Sequence, residues 1–227
     1  MTMIHLVGGM KGGVGKSFVC RALIDYHRKR ELPFTIIDTG HSYRDVARFY
    51  ENVENCQVES ISSDEIAEYV EVALANGDLD RSIIVNLQPG ETPDVLGMRL
   101  SQEYSEARYQ DTSICLWFVS TGEHSSRLLL EQSLEKFQNS VPHILVKNSG
   151  GISYWNLDDV GEQFEVITER YRLPVIEFPK LSSGWILDEI QLRNIPLSEM
   201  QIHPDLDLTS RLRAKAFLEK AFAAFDS

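Results

Sequence analysis

The chain has 227 residues, 43% of them hydrophobic, enough for one sizeable α/β core. Thirty-four acidic side chains against 22 Lys and Arg give a formal net charge of −12, so the average surface repels nucleic acid and direct DNA binding is disfavoured unless basic residues cluster locally. The most apolar stretch, Ile114 to Val119, falls far short of the roughly 20 residues that cross a bilayer. Three irregularly spaced cysteines (Cys20, Cys56, Cys115) suggest neither a disulfide framework nor a zinc ribbon, and no basic leader precedes the first apolar run, the pattern expected of a cytoplasmic protein.

In chain order, short β-branched and aromatic runs alternate with segments whose apolar residues recur every three or four positions. Strands are predicted at Met3–Val7, Phe34–Asp38, Ser82–Leu87, Ile114–Val119, His143–Lys147 and Val175–Phe178. Helices are predicted at Ser17–Arg30, Ser62–Ala75, Pro93–Ala107, Ser125–Phe137, Asn156–Arg172 and Leu208–Phe225, with Ser62, Asp64 and Glu65 forming a helix start. The strands are apolar on both faces, as strands covered by helices on both sides must be. The predicted fold class is therefore α/β, a three-layer α-β-α sandwich around a mostly parallel sheet, in a single domain over residues 1–227.

Directly after the first strand comes Gly8-Gly9-Met10-Lys11-Gly12-Gly13-Val14-Gly15-Lys16-Ser17, opening a helix. Strand, glycine turn, Lys-Ser and helix are the context of a phosphate-binding loop. Glycines let successive N–H groups curl around an anion, and the helix start adds partial positive charge. On that chemistry Gly12, Gly13, Val14, Gly15, Lys16, Ser17 and Phe18 form the candidate phosphate-contacting run, and the Ser17 hydroxyl is a candidate Mg²⁺ ligand.

The loop resembles the deviant Walker A motif, KGGVGK[ST], of the ParA/MinD group of P-loop ATPases. The resemblance implies ATP and Mg²⁺ as cofactors and a homodimer closed around bound nucleotide, with Lys16 acting in its own subunit and Lys11 reaching the partner's phosphates. Phe34-Thr35-Ile36-Ile37-Asp38-Thr39-Gly40-His41 resembles the family's D-x-D switch I: Asp38 matches the first carboxylate, a catalytic and metal-site candidate, and Gly40 stands at the second. Ser82-Ile83-Ile84-Val85-Asn86-Leu87-Gln88-Pro89-Gly90 resembles the Walker B strand and switch II, with Asn86 in place of the aspartate. Gly90 remains able to present an N–H to a γ-phosphate, and Gln88 or Asp94 are substitutes for positioning water. Two neutralised positions imply slow hydrolysis, because losing a charge that holds metal-bound water typically costs about 10–100-fold.

No guanine-reading N-K-x-D element follows the late strand Leu145-Val146-Lys147-Asn148-Ser149, and the resemblance makes Asn148 the adenine contact. Ile176 to Leu181 resembles the family's late I-P strand end, which adds Pro179 to the nucleotide-binding set. The short chain and the Lys147, Asn148, Tyr154, Trp155 segment resemble the plasmid mobilisation and stability branch (TraL- and StbB-like proteins). The function so implied is a nucleotide-dependent dimer that recruits or positions a protein adaptor or cargo in partition, mobilisation or cellular positioning. The alternatives are a nucleotide-binding scaffold without significant hydrolysis, and a small-molecule P-loop ligase or kinase, for which only Arg44 and Arg48 offer acceptor-binding charge.

Three surface features remain. The last helix carries Arg211, Arg213, Lys215 and Lys220 beside Leu212, Phe217, Leu218, Phe222 and Phe225. This is a membrane-surface pattern, but a terminal helix more commonly docks its apolar face on its own domain. His27-Arg28-Lys29-Arg30 reads as a solvated helix end complementing the dipole. Tyr154 and Trp155 are partner-contact candidates or loop anchors, and the six histidines show no metal-ligand spacing.

Overall fold

The computed structural model describes residues 2–9, 11–40, 44–76, 81–91, 112–137, 141–150, 153–182 and 184–227. The helix expected over Pro93–Ala107 lies outside them, as do Met10, His41 and Asp94. In chain order the elements are β1 (Thr2–Gly8), α1 (Lys16–Lys29), β2 (Phe34–Asp38), β3 (Gln57–Glu59), α2 (Ile66–Ala75) and β4 (Ser82–Asn86). They continue as β5 (Thr112–Ser120), α3 (His124–Phe137), β6 (His143–Asn148), α4 (Asp158–Tyr171), β7 (Val175–Phe178), α5 (Gly184–Arg193) and α6 (Leu208–Phe225). The strands form a seven-stranded sheet in the order β3-β2-β4-β1-β5-β6-β7, every adjacent pair parallel.

The apolar strands split their side chains between two helix layers. Val7, Ile36, Ile84 and Phe178 face α1, α5 and α6, whereas Leu6, Ile37, Ile83 and Val85 face α2. Further along the sheet, Phe118 and Leu145 pack with Leu130 and Leu134 of α3 and Phe164 of α4. A period of two along strands buried on both faces produces this division. The register sets Asn86 opposite both Val7 and Asp38, and Asn148 opposite Phe178. The carboxyl ends of β2, β4, β1 and β6 thereby frame the loop that follows β1.

Two elements depart from the periodicity reading. β3 is a three-residue edge strand in which Val58 is flanked by polar Gln57 and Glu59, paired among the described strands with β2, and one apolar residue is too short a pattern to mark it. In α5, Ile186 and Ile190 are buried while Trp185 and Leu192 are exposed, which blurs its apolar face. The expected start at Ser62 is a capping box with Glu65, opening on a 3-10 turn (Ser63–Glu65) that runs into α2.

The C-terminal helix docks. Phe217 packs on Phe18 and Phe178 at ring separations of 5.3 and 5.7 Å, and Ala214, Leu218, Ala221 and Phe222 are buried with it. Its apolar face is therefore used inside the fold, as the docking expectation had it, and Arg213, Lys215 and Lys220 lie on its outer side. The solvated-end reading of 27–30 holds for Lys29 and Arg30, which are exposed, and is corrected for His27 and Arg28. His27 is buried against His5 and Phe34, Arg28 bonds Asp25 and Ser198, and Arg30 pairs with Asp226 beyond α6.

His5 accepts a hydrogen bond at Nδ1 from Trp117 Nε1 (3.1 Å), and its ring packs edge-on against His27. Burial, with the neighbouring His27, pushes its pKa down to about 3. The unfolded chain protonates this imidazole near pH 6.5, so its contribution is complete above that pH and is lost as pH falls towards 3. Urea unfolding between pH 7.5 and 4.5 should show falling stability, and a smaller fall in His5→Gln, whose side-chain oxygen accepts from Trp117 without titrating.

Candidate functional site

The loop between β1 and α1 runs from Gly9 to Gly15. Gly13 and Gly15 have φ of +80° and +94°, and Gly15 is the N-cap of α1. A side chain at Gly15 would be strained twice, because its Cβ would also fall on the Asn148 amide nitrogen. Lys16, the first residue of α1, is 5% exposed, and its Nζ donates to the Lys11 carbonyl (2.8 Å). Burial pushes this ammonium down to about 8 against the partial offset of Asp45. A loop of curled amides at a helix start, over a buried cation whose charge is incompletely balanced, fits a polyphosphate. Ser17 follows on the same turn.

Lys11 points the other way. Its side chain is 49% exposed, and Nζ forms an ion pair with Glu123 Oε1 (2.8 Å) just ahead of α3. Such exposed pairs contribute about 1 kcal/mol or less, so this one is easily given up.

Asp38 is buried at the end of β2. Oδ2 accepts from the backbone N–H groups of Val46 and Ala47 (2.8 and 2.9 Å), and Oδ1 accepts from Asn86 Nδ2 (3.0 Å). These bonds pin the 3-10 turn Ala47–Phe49 and set Asp45 near Lys16, Arg21, Arg48 and Asp38 itself; burial and the Asp38 charge push the Asp45 carboxyl upward. Asn86 Oδ1 is fully buried and has no hydrogen-bond partner among the described residues. Gly40 is buried and brings no side chain.

After β4 the chain turns at Gly90, φ +83°. This returns the Glu91 carboxylate to accept from Gln88 N (2.8 Å) and from the Thr39 hydroxyl. Pro89 of the same turn would lie 3.9 Å from a Cβ on Gly12, which places the turn against the phosphate loop. Among the described residues no group of three His, Cys, Asp or Glu converges on a metal position. A divalent cation here fits the Ser17 hydroxyl, the phosphates it accompanies and waters facing the strand ends, where Asn86 Oδ1 is an unused acceptor.

Asn148, 5% exposed at the end of β6, donates from Nδ2 to the Val14 carbonyl (2.8 Å) and accepts at Oδ1 from Gly150 N (2.9 Å). Its amide thus grips the phosphate loop. Ser149 N bonds Phe178 O, which brings Pro179 beside it. The Phe18 ring turns away into the Phe178–Phe217 cluster, leaving its backbone at the first turn of α1. Trp155 packs on Phe164 at 4.6 Å and against Gly122, as a loop anchor. Arg44 bonds Ser60 and Glu51, while Arg48 bonds Gln191, stacks on Phe49 and lines a cavity with Asn52, Asn194 and Glu199.

Four residues at the site escaped the motif reading: Thr39, Asp45, Glu91 and Glu123. Thr39 lies inside the Asp38–Gly40 element and Glu91 directly follows Gly90, so adjacency to the motifs was the available signal. Asp45 and Glu123 lie outside every motif and reach the site only through the fold.

The sheet order, the phosphate loop after the first strand and the strand-end loops together are the fold of the MinD-type P-loop NTPases. MinD from Pyrococcus horikoshii, solved in complex with Mg-ADP, superposes with a TM-score of 0.57 at 15% identity, over 97% of this chain and 95% of that one. MinD in the MinC:MinD cell division complex of Aquifex aeolicus does so at 0.57 and 12% identity, over 100% and 96%. In sequence the chain is similar to Protein MobD of Acidithiobacillus ferrooxidans, 26% identical over 224 residues, 95% of this chain and 96% of that protein. No family model matches.

Because burial pushes the Lys16 ammonium down to about 8 and a bound anion would hold it charged, phosphate binding above that pH should take up a proton. Nucleotide affinity should fall between pH 7 and 9, approaching tenfold per unit. Calorimetry at pH 8 in buffers of different ionisation enthalpy should register the uptake, and equal affinity without uptake would contradict it. Asn148→Ala should weaken ATP and GTP alike by about tenfold, the worth of one good hydrogen bond; a loss confined to ATP would instead make Asn148 a reader of the base.

Proposed function

We propose that this protein binds ATP with Mg²⁺, dimerises around the bound nucleotide and in that state recruits or positions a partner, as the resemblance to ParA/MinD ATPases implies. One observation carries the reading: the phosphate loop presents its two lysines in opposite senses, Lys16 folded beneath it and Lys11 outward. An inward ammonium serves the phosphates of its own subunit. An outward one serves an anion arriving on a second molecule.

Bound ATP with its metal supplies a transferable phosphoryl group and charge neutralisation. The amides of Gly12 to Ser17 hold phosphate oxygens, the Ser17 hydroxyl holds the metal, and Gly90 offers an N–H from the opposite side. Lys11 from a partner subunit would oppose charge that develops during transfer. Asp38 has both oxygens engaged by its own chain, Asn86 is neutral and Gly40 contributes nothing, so no side chain at these three positions is free to take a proton from water. Turnover is accordingly slow. The same three positions favour, as a second reading, a scaffold that uses the nucleotide to assemble and hardly hydrolyses it.

A partner is in keeping with the MinD neighbour that forms a complex with MinC. Partition, mobilisation and positioning all use such a nucleotide-gated surface, and the excess of negative charge favours a protein adaptor over bare DNA. No helix among the described residues is long and apolar enough to cross a membrane.

Sedimentation velocity with ATP and Mg²⁺ tests the reading: the native chain should shift to a dimer and Lys11→Ala should remain monomeric. A Lys11→Ala chain that dimerises as before would overturn it. Phosphate release by the native chain at rates typical of active family members would remove the scaffold alternative.

A further inference from the structure

The strand ends hold a carboxylate that the motif reading did not use. We infer that Glu91 supplies the negative charge on the metal side of the nucleotide site, holding metal-bound water together with the Thr39 hydroxyl and the Asn86 amide oxygen. The inference deepens the nucleotide-and-Mg²⁺ reading above and rests on it.

The two strand-end positions that would carry this role by motif, 38 and 86, are otherwise engaged. Asp38 spends its oxygens on Val46, Ala47 and Asn86. Asn86 Nδ2 lies 3.0 Å from Asp38 Oδ1, so an aspartate at position 86 would set two carboxylates in contact, and one of them would have to be protonated. Asn86 solves that conflict for Asp38 but leaves its own Oδ1 fully buried without a partner among the described residues. A buried acceptor of this kind, at the mouth of a phosphate loop, calls for a donor such as a water molecule.

Glu91 is built to stand in. The left-handed turn at Gly90 carries it back to the strand ends, where Oε2 accepts from Gln88 N (2.8 Å) and from the Thr39 hydroxyl (2.5 Å) while Oε1 takes neither bond. The Thr39 hydroxyl also lies 3.1 Å from the Asn86 carbonyl, and Thr39 N bonds that same oxygen. Glu91 is thus one hydroxyl away from Asn86, on a turn that touches the phosphate loop through Pro89. Magnesium gives up its waters reluctantly and is held through them by nearby carboxylates, and losing such an outer carboxylate typically costs about 10–100-fold in metal binding.

The readout is the gain in ADP affinity on replacing EDTA with Mg²⁺, measured by calorimetry on the full chain. Glu91→Gln, which keeps shape and acceptor but loses charge, should lose about tenfold or more of that gain and leave affinity in EDTA unchanged. Glu91→Asp should retain most of it. Thr39→Val, which removes only the bridging hydroxyl, should lose part of it, and gives a second test if Glu91→Gln unfolds at a lower temperature. A full Mg²⁺ gain in both Glu91→Gln and Thr39→Val overturns the assignment. So does tighter binding of Glu91→Gln with and without the metal, which would make Glu91 a mere repellent of phosphate. A native chain that binds ADP with no Mg²⁺ gain overturns it as well, whereas a native chain that binds no nucleotide overturns the preceding reading too.

Discussion

The shape of the phosphate loop depends on one side chain outside it. Asn148 reaches from the end of β6 to the Val14 carbonyl, and only glycine at position 15 leaves room for that amide. Main-chain N–H groups bind an anion well only if they already point at it, since ordering a flexible glycine run on binding would cost conformational entropy. The amide grip ties the loop to the far half of the sheet, and the β6–β7 pairing that sets Asn148 opposite Phe178 becomes part of the site.

The charges follow a consistent division. Positive charge is spread over a buried lysine, an outward lysine and a helix start, while the carboxylates close to them are used chiefly to shape backbone. Asp38 pins the turn at Val46 and Ala47, and Glu91 joins the loops after β2 and β4. Such a site has strong attraction for phosphates and little provision for activating water at Asp38 and Asn86.

The opposite helix layer explains why the apolar faces of α1 and α6 are not free surfaces. Phe18, Phe178, Phe217 and Phe225 stack between α1, β7 and α6, and Arg30 with Asp226 closes the outer edge. Docking these faces covers a sheet that would otherwise expose Val119, Val146 and Ile176. The phosphate loop thus sits on a helix that is held along its length by α6 and by the Asp25–Ser198 bonds.

Local regularities were legible in the chain: apolar strands at near-correct bounds, the helix from Leu208 to Phe225 at its observed ends, and a glycine run placed between strand and helix. These depend on neighbours in sequence, through backbone sterics and a two- or 3.6-residue period. β3 and the partners of Asp38 were not legible, because a three-residue edge strand with one apolar residue and a carboxylate bonded eight and nine positions away carry no periodic signal. The glycine run with Lys16 and Ser17 pointed to a phosphate site on its own, and the family resemblance added Lys11, Asp38 and Asn148. Only the tertiary structure decided what each side chain bonds, because an amide or carboxylate bonds whatever the fold brings within three ångströms, and strand order rather than chain order sets those distances.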